Sequence, residues 1–175
     1  MIKLRNISAA FIFNGEDVLM LKTSPSKKLF PNLWTPVGGH IEADEFRDPL
    51  RACIREIYEE TGIWEKELDN IALRYITVRR KDDEIRIQYI YFAETKVKTI
   101  TNSDEGELFW VNKSSLQALE MSFVNKSVIE HYFSIGSNND AVKTDAIITG
   151  VVDVINNNPI INWLELKNFN NPMYI

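Results

Sequence analysis

The sequence has little cysteine, no excess of positive charge and no long apolar run. Its single cysteine cannot form a disulfide within the chain, which suits a reducing cytoplasm. The formal net charge of −5 argues against a nucleic acid polymer as a partner. No apolar stretch reaches the length of a membrane-spanning helix. We therefore expect a cytoplasmic protein that binds neither a nucleic acid polymer nor a membrane.

The composition is that of an ordinary globular protein. The chain has 175 residues, of which 45% are hydrophobic and 26% are charged. It shows no repeat, low-complexity tract or linker. We expect a single domain over residues 1–175, with a core at 1–136 and a C-terminal extension at 137–175.

The order of predicted elements mixes strands and helices. Alternating or apolar runs separated by turn residues predict three hairpins, at residues 7–13 with 17–22, 71–79 with 84–95, and 146–155 with 160–166. A short strand is predicted at 108–111, and helices at 49–61, 114–119 and 124–133. This order indicates an α+β or α/β layer fold, in which helices pack on a mixed sheet.

The most informative segment has the sequence REIYEETG and spans residues 55–62. Its carboxylates Glu56, Glu59 and Glu60 have i, i+3 and i+4 spacing, which places them within about 100° of one another around a helix. Like charges so close destabilise a helix, whereas a hard divalent cation binds such oxygens well. With the glycine pair at 38–39, the spacing predicts a metal site. The alternative is a solvated helix whose glutamates face water.

The residues around this segment favour a packed helix. Asp48 can cap its N-terminus, Pro49 suits the first helical position, and Gly62 suits a left-handed C-terminal residue. Arg55 lies four residues before Glu59 and can hydrogen-bond to it. The buried stripe is predicted to contain Leu50, Cys53, Ile54 and Ile57.

Gly39, Glu45 and the run REIYEETGI at residues 55–63 resemble the Nudix box, the signature motif of the Nudix hydrolases. Nine residues separate Glu45 from Arg55, where the usual box has seven, and we interpret the surplus as a longer loop before the helix. The resemblance implies an α/β/α sandwich around a mixed sheet. It also implies hydrolysis of a nucleoside diphosphate linked to another moiety, X, by attack of water on a pyrophosphate phosphorus.

The resemblance assigns roles to five residues. Glu56, Glu59 and Glu60 are expected to bind Mg²⁺ or Mn²⁺, and either Glu59 or Glu60 also holds or deprotonates the attacking water. Gly39 is expected to offer its backbone carbonyl to the metal, because a residue without Cβ lets the main chain approach closely. Arg55 belongs to the catalytic group as the residue that orients a ligand.

Other residues are candidates for contact with a nucleotide-type substrate. A later carboxylate acts as base or ligand in relatives, and the candidates here are Asp104, Glu105 and Glu107. Aromatic side chains can stack on a base, and the candidates are Trp34, Tyr75 and Phe109. Each aromatic residue fits core packing equally well. We assign Trp34 and Glu107 to the substrate site.

The substrate is left open among several classes. The sequence resembles bacterial Nudix proteins that hydrolyse oxidised nucleoside triphosphates such as 8-oxo-dGTP. ADP-ribose or another dinucleotide-type compound is the nearest alternative. A module that binds a nucleotide without hydrolysis should have lost its carboxylates first, and all three are present here. A structural protein with a fortuitous charged helix face is a further alternative.

The C-terminal extension, residues 137–175, carries more apolar surface than a disordered tail would. We predict that residues 145–166 form strands that pack on the main sheet or on a second subunit, because burying several such side chains stabilises a docked hairpin by a few kcal/mol. A homodimer is therefore among the expected assemblies.

Overall fold

The computed structural model describes residues 1–25, 31–101, 105–136 and 146–168. Its strands are β1 (Lys3–Asn14), β2 (Asp17–Thr23), β3 (Trp34–Thr35), β4 (Val37–His40), β5 (Leu68–Lys81), β6 (Glu84–Thr95), β7 (Gly106–Asn112), β8 (Ile147–Ile155) and β9 (Asn158–Leu166). Its α-helices are α1 (Pro49–Thr61) and α2 (Phe123–Gly136). Short 3-10 turns lie at Ala43–Glu45, Glu65–Glu67 and Lys113–Ala118.

All of these strands join one mixed sheet in the order β3-β2-β1-β6-β5-β8-β9, with β4 paired to β1 and β7 paired to β2. The three predicted hairpins are confirmed as β1–β2, β5–β6 and β8–β9. β1 is central because it pairs in parallel with β6 along one edge and with two strands along the other. On that second edge, β4 pairs with residues 7–10 and β2 with residues 12–14. The glycine pair is thereby held against β1.

The sheet separates two hydrophobic cores. Alternate residues of β1 point to opposite faces, so Phe11 and Phe13 lie in one core and Ala10 and Ile12 in the other. The first core packs against α2, and the second packs against Cys53 and other residues of α1. The predicted α/β/α sandwich around a mixed sheet is therefore confirmed.

Helix α1 begins and ends where the sequence predicts. The Asp48 carboxylate accepts a hydrogen bond from the Arg51 backbone N–H at 3.1 Å. Pro49 follows as the first helical residue. At the C-terminus Gly62 has a φ of 76° and donates its N–H to the Tyr58 carbonyl at 2.9 Å. These two ends fix the position of the carboxylates along the helix.

The remaining helical predictions differ in detail. The helix predicted at 114–119 is a 3-10 turn at Lys113–Ala118, and the helix predicted at 124–133 extends over Phe123–Gly136. No helix among the described residues is long and apolar enough to cross a membrane.

The C-terminal hairpin extends the main sheet. β8 runs parallel to β5 and pairs with it over residues 75–78 of β5. β8 turns into β9 through Asn156 and Asn157, both with positive φ, as a tight hairpin turn requires. One side of the hairpin reaches the core through Ile148, Val152 and Trp163. The expected strands are confirmed over the described part of residues 145–166, and they pack on the main sheet of the same chain.

Candidate active site

Strand β4 brings the glycine pair against the carboxylates of α1. The Gly38 N–H donates to Glu60 Oε2 at 2.9 Å. A Cβ on Gly39 would lie 2.5 Å from the Glu56 carboxylate, and a Cβ on Gly38 would lie 2.3 Å from the Ser8 carbonyl oxygen. Only glycine permits these approaches. The main chain at residues 38–39 therefore lies directly beside two of the predicted ligands.

Arg55 connects the carboxylates of the box to one another. Its guanidinium donates to Glu45 through two nitrogens, Nε to Oε1 at 2.8 Å and Nη2 to Oε2 at 2.9 Å. Nη1 donates to Glu56 and to Glu59, each at 2.9 Å, and Nη2 also donates to the His40 carbonyl. The predicted contact between Arg55 and Glu59 is confirmed. Arg55 fixes the rotamers of three carboxylates because its planar fork makes all these bonds at once.

The three carboxylates that Arg55 contacts have different environments. Arg55 lowers the pKa of Glu45 to about 2. Burial raises the pKa of Glu56, and the hydrogen bond from Arg55 opposes that rise. The Glu59 side chain is 55% exposed, whereas that of Glu45 is 2% exposed. Glu45 therefore serves as an anchor within the protein, whereas the Glu59 carboxylate is open to solvent and Glu56 is intermediate.

The donor set fits a hard divalent cation. Glu56, Glu60 and the Gly39 main chain offer only oxygen atoms, which Mg²⁺ and Mn²⁺ prefer. The part of the chain that the structure describes has no group of three His, Cys, Asp or Glu side chains already arranged around a metal position. Instead of surrounding a metal position, one carboxylate oxygen of Glu56 and one of Glu59 accept hydrogen bonds from Arg55. Mg²⁺ at phosphate sites usually takes one or two protein carboxylates and completes its shell with water and substrate phosphate, so such a prearranged group is not required.

The carboxylates open into a cleft of about 440 Å³, a size typical of small-molecule sites. Glu56, Glu60, Gly38 and Gly39 form one end of its lining. Trp34, predicted to contact substrate, also lines the cleft, and the Lys22 ammonium lies 5.7 Å from its ring centroid. The structure therefore places Trp34, Glu56, Glu60 and the glycine pair around one space, whereas Glu59 is not among the residues that line it.

Polar side chains that the sequence analysis did not identify line the same cleft. Gln88 Nε2 donates to Asn125 Oδ1 at 3.1 Å, and Asn125 Nδ2 donates to Thr35 Oγ1 at 3.3 Å. Asn125 is 7% exposed, which is unusual for an amide. The available signal was a polar residue on an apolar face, Gln88 two residues before Ile90, but only the tertiary fold brings Gln88 to Asn125.

The candidate carboxylates of the later loop are separated by the structure. Glu105 lines the cleft, whereas Glu107 lines a neighbouring pocket with Lys22, Thr23 and Gly106. Asp104 lies outside the described residues. Glu107 pairs with Lys22 on β2 and does not line the cleft that contains Glu56, whereas Glu105 lies just before β7. The structure therefore places Glu105 and not Glu107 in the cleft, and the assignment of Glu107 to the substrate site stays a prediction.

Two aromatic candidates are better explained by packing. Tyr75 is 2% exposed and its hydroxyl is hydrogen-bonded to His131 Nδ1 at 3.0 Å. Its ring also packs edge-on against Trp163 at 5.5 Å. Phe109 is 38% exposed, packs on Trp34 with ring centroids 5.3 Å apart and does not line the cleft. Trp34 is the remaining candidate for base stacking.

A family model for the NUDIX domain matches residues 3–132, and the chain therefore belongs to the Nudix family. Among relatives, a protein of Xenopus laevis named as the m7GpppN-mRNA hydrolase NUDT17 is 45% identical over 49 residues. This match covers 28% of the present chain and 16% of the relative, so the chain spans only a small part of that protein's length.

Solved structures share the fold. A MutT protein from Bacillus halodurans has a TM-score of 0.67 at 20% identity, with 92% of this chain and 97% of that chain covered. An Ap4A hydrolase from Caenorhabditis elegans, in a binary complex, has a TM-score of 0.63 at 19% identity, with 77% of this chain and 98% of that one covered. At these identities the similarity establishes the architecture.

Proposed function

We propose that the protein hydrolyses a nucleoside diphosphate linked to a moiety X, by attack of water on a phosphorus of the pyrophosphate. The supporting observation is the junction of β4 with α1, where Glu56 and Glu60 lie against the Gly38–Gly39 main chain at the end of a nucleotide-sized cleft. Bound Mg²⁺ or Mn²⁺ would neutralise charge on the phosphate oxygens and lower the pKa of a coordinated water.

The residues of the Nudix box have separate roles in the proposed reaction. Glu56, Glu60 and the Gly39 carbonyl would hold the cation, and Glu59 would join them when it leaves Arg55. Glu59 or Glu60 would orient the attacking water and accept its proton. Arg55 keeps Glu56 and Glu59 in place, since it contacts both through Nη1. Glu105, which lines the same cleft, is a further candidate for the base.

For the substrate we propose an oxidised nucleoside triphosphate such as 8-oxo-dGTP. The support is an amide-lined recess beside Trp34 in which Asn125 and Gln88 share one hydrogen bond. An amide has two N–H donors and two acceptor lone pairs, so both side chains retain groups that can bind base edges. Trp34 supplies an aromatic surface for stacking. A recess of this kind can select a modified base through its donor and acceptor pattern.

The experiment that tests this proposal is a panel of nucleotides with and without Mg²⁺, followed by phosphate and pyrophosphate release. It includes 8-oxo-dGTP, dGTP, ADP-ribose and a dinucleoside polyphosphate. Asn125→Ala should raise KM for the preferred nucleotide by about tenfold, because one bidentate base contact contributes about 1–3 kcal/mol. Glu130→Gln, on the exposed face of the same helix, is the matched control. Equal turnover of 8-oxo-dGTP and dGTP would reject the oxidised nucleotide.

Two alternatives give different outcomes in the same panel. Preference for ADP-ribose or a dinucleotide-type compound would show that the substrate is of the dinucleotide type. The C. elegans protein is named for a substrate of that type, Ap4A. Binding of nucleotides without Mg²⁺-dependent release of product would indicate a non-catalytic module. We rank this module lower because the three carboxylates and Arg55 are all present in the packed helix.

Three further proposals concern the whole chain. We propose that residues 1–175 form one domain, which is supported by the addition of β8 and β9 to the main sheet. We propose the cytoplasm as the location, since the single cysteine is buried and unpaired.

We propose a homodimer as the assembly, supported by exposed apolar residues Val154, Leu164 and Leu166 on the outer hairpin. Sedimentation at several concentrations tests the dimer.

A further inference from the structure

Three arginines lie side by side on neighbouring strands at the edge of the cleft. Arg86 of β6 pairs with Arg79 of β5 on one side and with Arg5 of β1 on the other. Residues paired across strands project from the same face of a sheet. Gln88 lies two residues further along β6, about 7 Å away at the usual rise of a strand. Arg79 and Gln88 both line the cleft.

The positive charge of this row is only partly balanced. Glu84 is bound to Arg86 through Nε and lies 3.9 Å from Arg5. Arg5 Nε also donates to His40 Nε2 at 2.6 Å. None of the ion pairs recorded within the described ranges includes Arg79. The row therefore has three guanidinium groups and one carboxylate, in a chain whose net charge is −5.

Arg79 is in an unfavourable environment as it stands. Burial, followed by the charges of Arg86 and Arg5, lowers its pKa, and Glu84 opposes this only in part. A bound anion with more than one negative charge would relieve the repulsion among the three groups. A phosphate fits this requirement best, because its oxygens match the planar fork of guanidinium donors.

We propose that Arg79, supported by Arg86 and Arg5, forms a second phosphate site that binds a phosphate carried by the moiety X. This inference rests on the proposed function, since it assumes that the pyrophosphate lies at Glu56 and Glu60. It predicts that substrates whose X carries phosphate of its own bind more tightly than 8-oxo-dGTP, and it therefore favours the dinucleotide-type alternative within the proposed function. Two sources share this chemistry, the distal phosphates of a dinucleoside polyphosphate and the first phosphodiester of a capped oligonucleotide.

Calorimetric titration of the protein with inorganic pyrophosphate in EDTA tests the site directly. Without divalent cation, the carboxylates repel the ligand, so binding reports the arginines. We expect saturable binding by the wild type and at least tenfold weaker binding by Arg79→Gln, with partial recovery in Arg79→Lys. Arg80→Gln is the matched control, because Arg80 is the next residue on β5 and is exposed. Melting temperatures of the variants establish that each is folded.

The outcomes separate this proposal from the proposed function. Equal affinities for Arg79→Gln and Arg80→Gln, or no binding by the folded wild type, would overturn the site whether or not the protein hydrolyses nucleotides. Absence of hydrolysis across the nucleotide panel would overturn the function and leave this titration unchanged. Competition against pyrophosphate by diadenosine tetraphosphate and by a short capped oligonucleotide then identifies the source. If neither compound competes with pyrophosphate, the assignment of this site to a phosphate on X is wrong.

Discussion

Glu45 and Arg55 form a two-point ion pair, with Arg55 Nε 2.8 Å from Oε1 and Nη2 2.9 Å from Oε2 of the carboxylate. Nine residues separate the two along the chain. Residues 46–48 connect the 3-10 turn Ala43–Glu45 to the start of α1 at Pro49, and this connection lies in the segment where we interpret the surplus length as a longer loop. The spacing in sequence therefore changes without loss of the contact that positions Arg55.

Replacing Glu45 with Gln should make the protein less stable near neutral pH by about 2 kcal/mol. The reason is that one charge-assisted pair is lost while Arg55 loses its most buried partner. The measurement is urea unfolding at fixed pH. Asp44→Asn is the control, since the Asp44–Arg51 pair is exposed and should contribute little.

The same variant should show a different dependence on acid. The pKa of Glu45 falls from 4.5 to about 2 on folding. Its contribution to stability is therefore complete above about pH 4.5 and is lost as the pH falls through about 2. Glu45→Gln should flatten the decline of the unfolding free energy over that interval. An unchanged decline would show that other carboxylates dominate acid unfolding.

Local signals made much of this fold predictable. Asp48, Pro49 and Gly62 set the ends of α1 because caps act within one helical turn. The alternation of apolar and polar residues predicted the hairpins, because it too is a pattern among neighbouring residues. The partner change along β1 and the parallel pairing of β8 with β5 involve contacts distant in sequence, and no short pattern encodes them.

The candidate site was likewise predictable only where its residues are close together in the sequence. Glu56, Glu59, Glu60 and Arg55 lie on one helix, so their spacing alone predicts their grouping. Assignments that depend on tertiary packing are less predictable. Glu107 lines a neighbouring pocket while Glu105 lines the cleft, and the recess that contains Asn125 forms only when α2 packs on the sheet.

Crystals soaked in Mg²⁺ or Mn²⁺ should contain a cation about 2.0–2.3 Å from at least two of the carboxylates Glu56, Glu59 and Glu60. We expect Glu59 to turn from Arg55 toward the metal, since its side chain is the most exposed of those Arg55 contacts. Anomalous scattering from Mn²⁺ locates the ion. A cation bound elsewhere, or none at millimolar concentration, would contradict the assignment.

Glu60→Gln should lower kcat by two orders of magnitude or more with the fold intact. A glutamine has the same shape and can still accept the hydrogen bond from the Gly38 N–H, but it lacks the charge of a ligand or base. Circular dichroism and the melting temperature verify the fold, and single-turnover kinetics measure the chemical step. Glu130→Gln on α2 is the control. Wild-type turnover in Glu60→Gln would remove Glu60 from both roles.

Cys53 should be inert in the native protein. The side chain is fully buried in the core beneath α1, and burial raises the pKa of the thiol to about 12. A thiol reagent should react only after unfolding, and the signal is unambiguous because the chain has one cysteine. Cys53→Ser should lower stability by about 1–2 kcal/mol and leave kcat unchanged, because it buries a more polar hydroxyl in the core, where Ser8 is its hydrogen-bonding neighbour. Loss of activity in a folded Cys53→Ser would instead implicate the thiol in catalysis.

Trp163→Ala should destabilise the whole protein, because β9 is part of the main core. The indole stacks on His131 of α2 at 4.6 Å and packs against Tyr75 of β5 at 5.5 Å, so it ties the hairpin to both a helix and the sheet. Since the side chain is partly buried, we expect a loss of about 2–4 kcal/mol, the lower part of the range for core aromatic residues. Asn162→Ser, the preceding residue and exposed, is the control and should change stability by less than about 0.5 kcal/mol. Truncation after residue 136 should have a larger effect than Trp163→Ala and yield an insoluble or much less stable chain. A soluble truncate with the wild-type melting temperature and oligomeric state would show that the core folds independently of the hairpin.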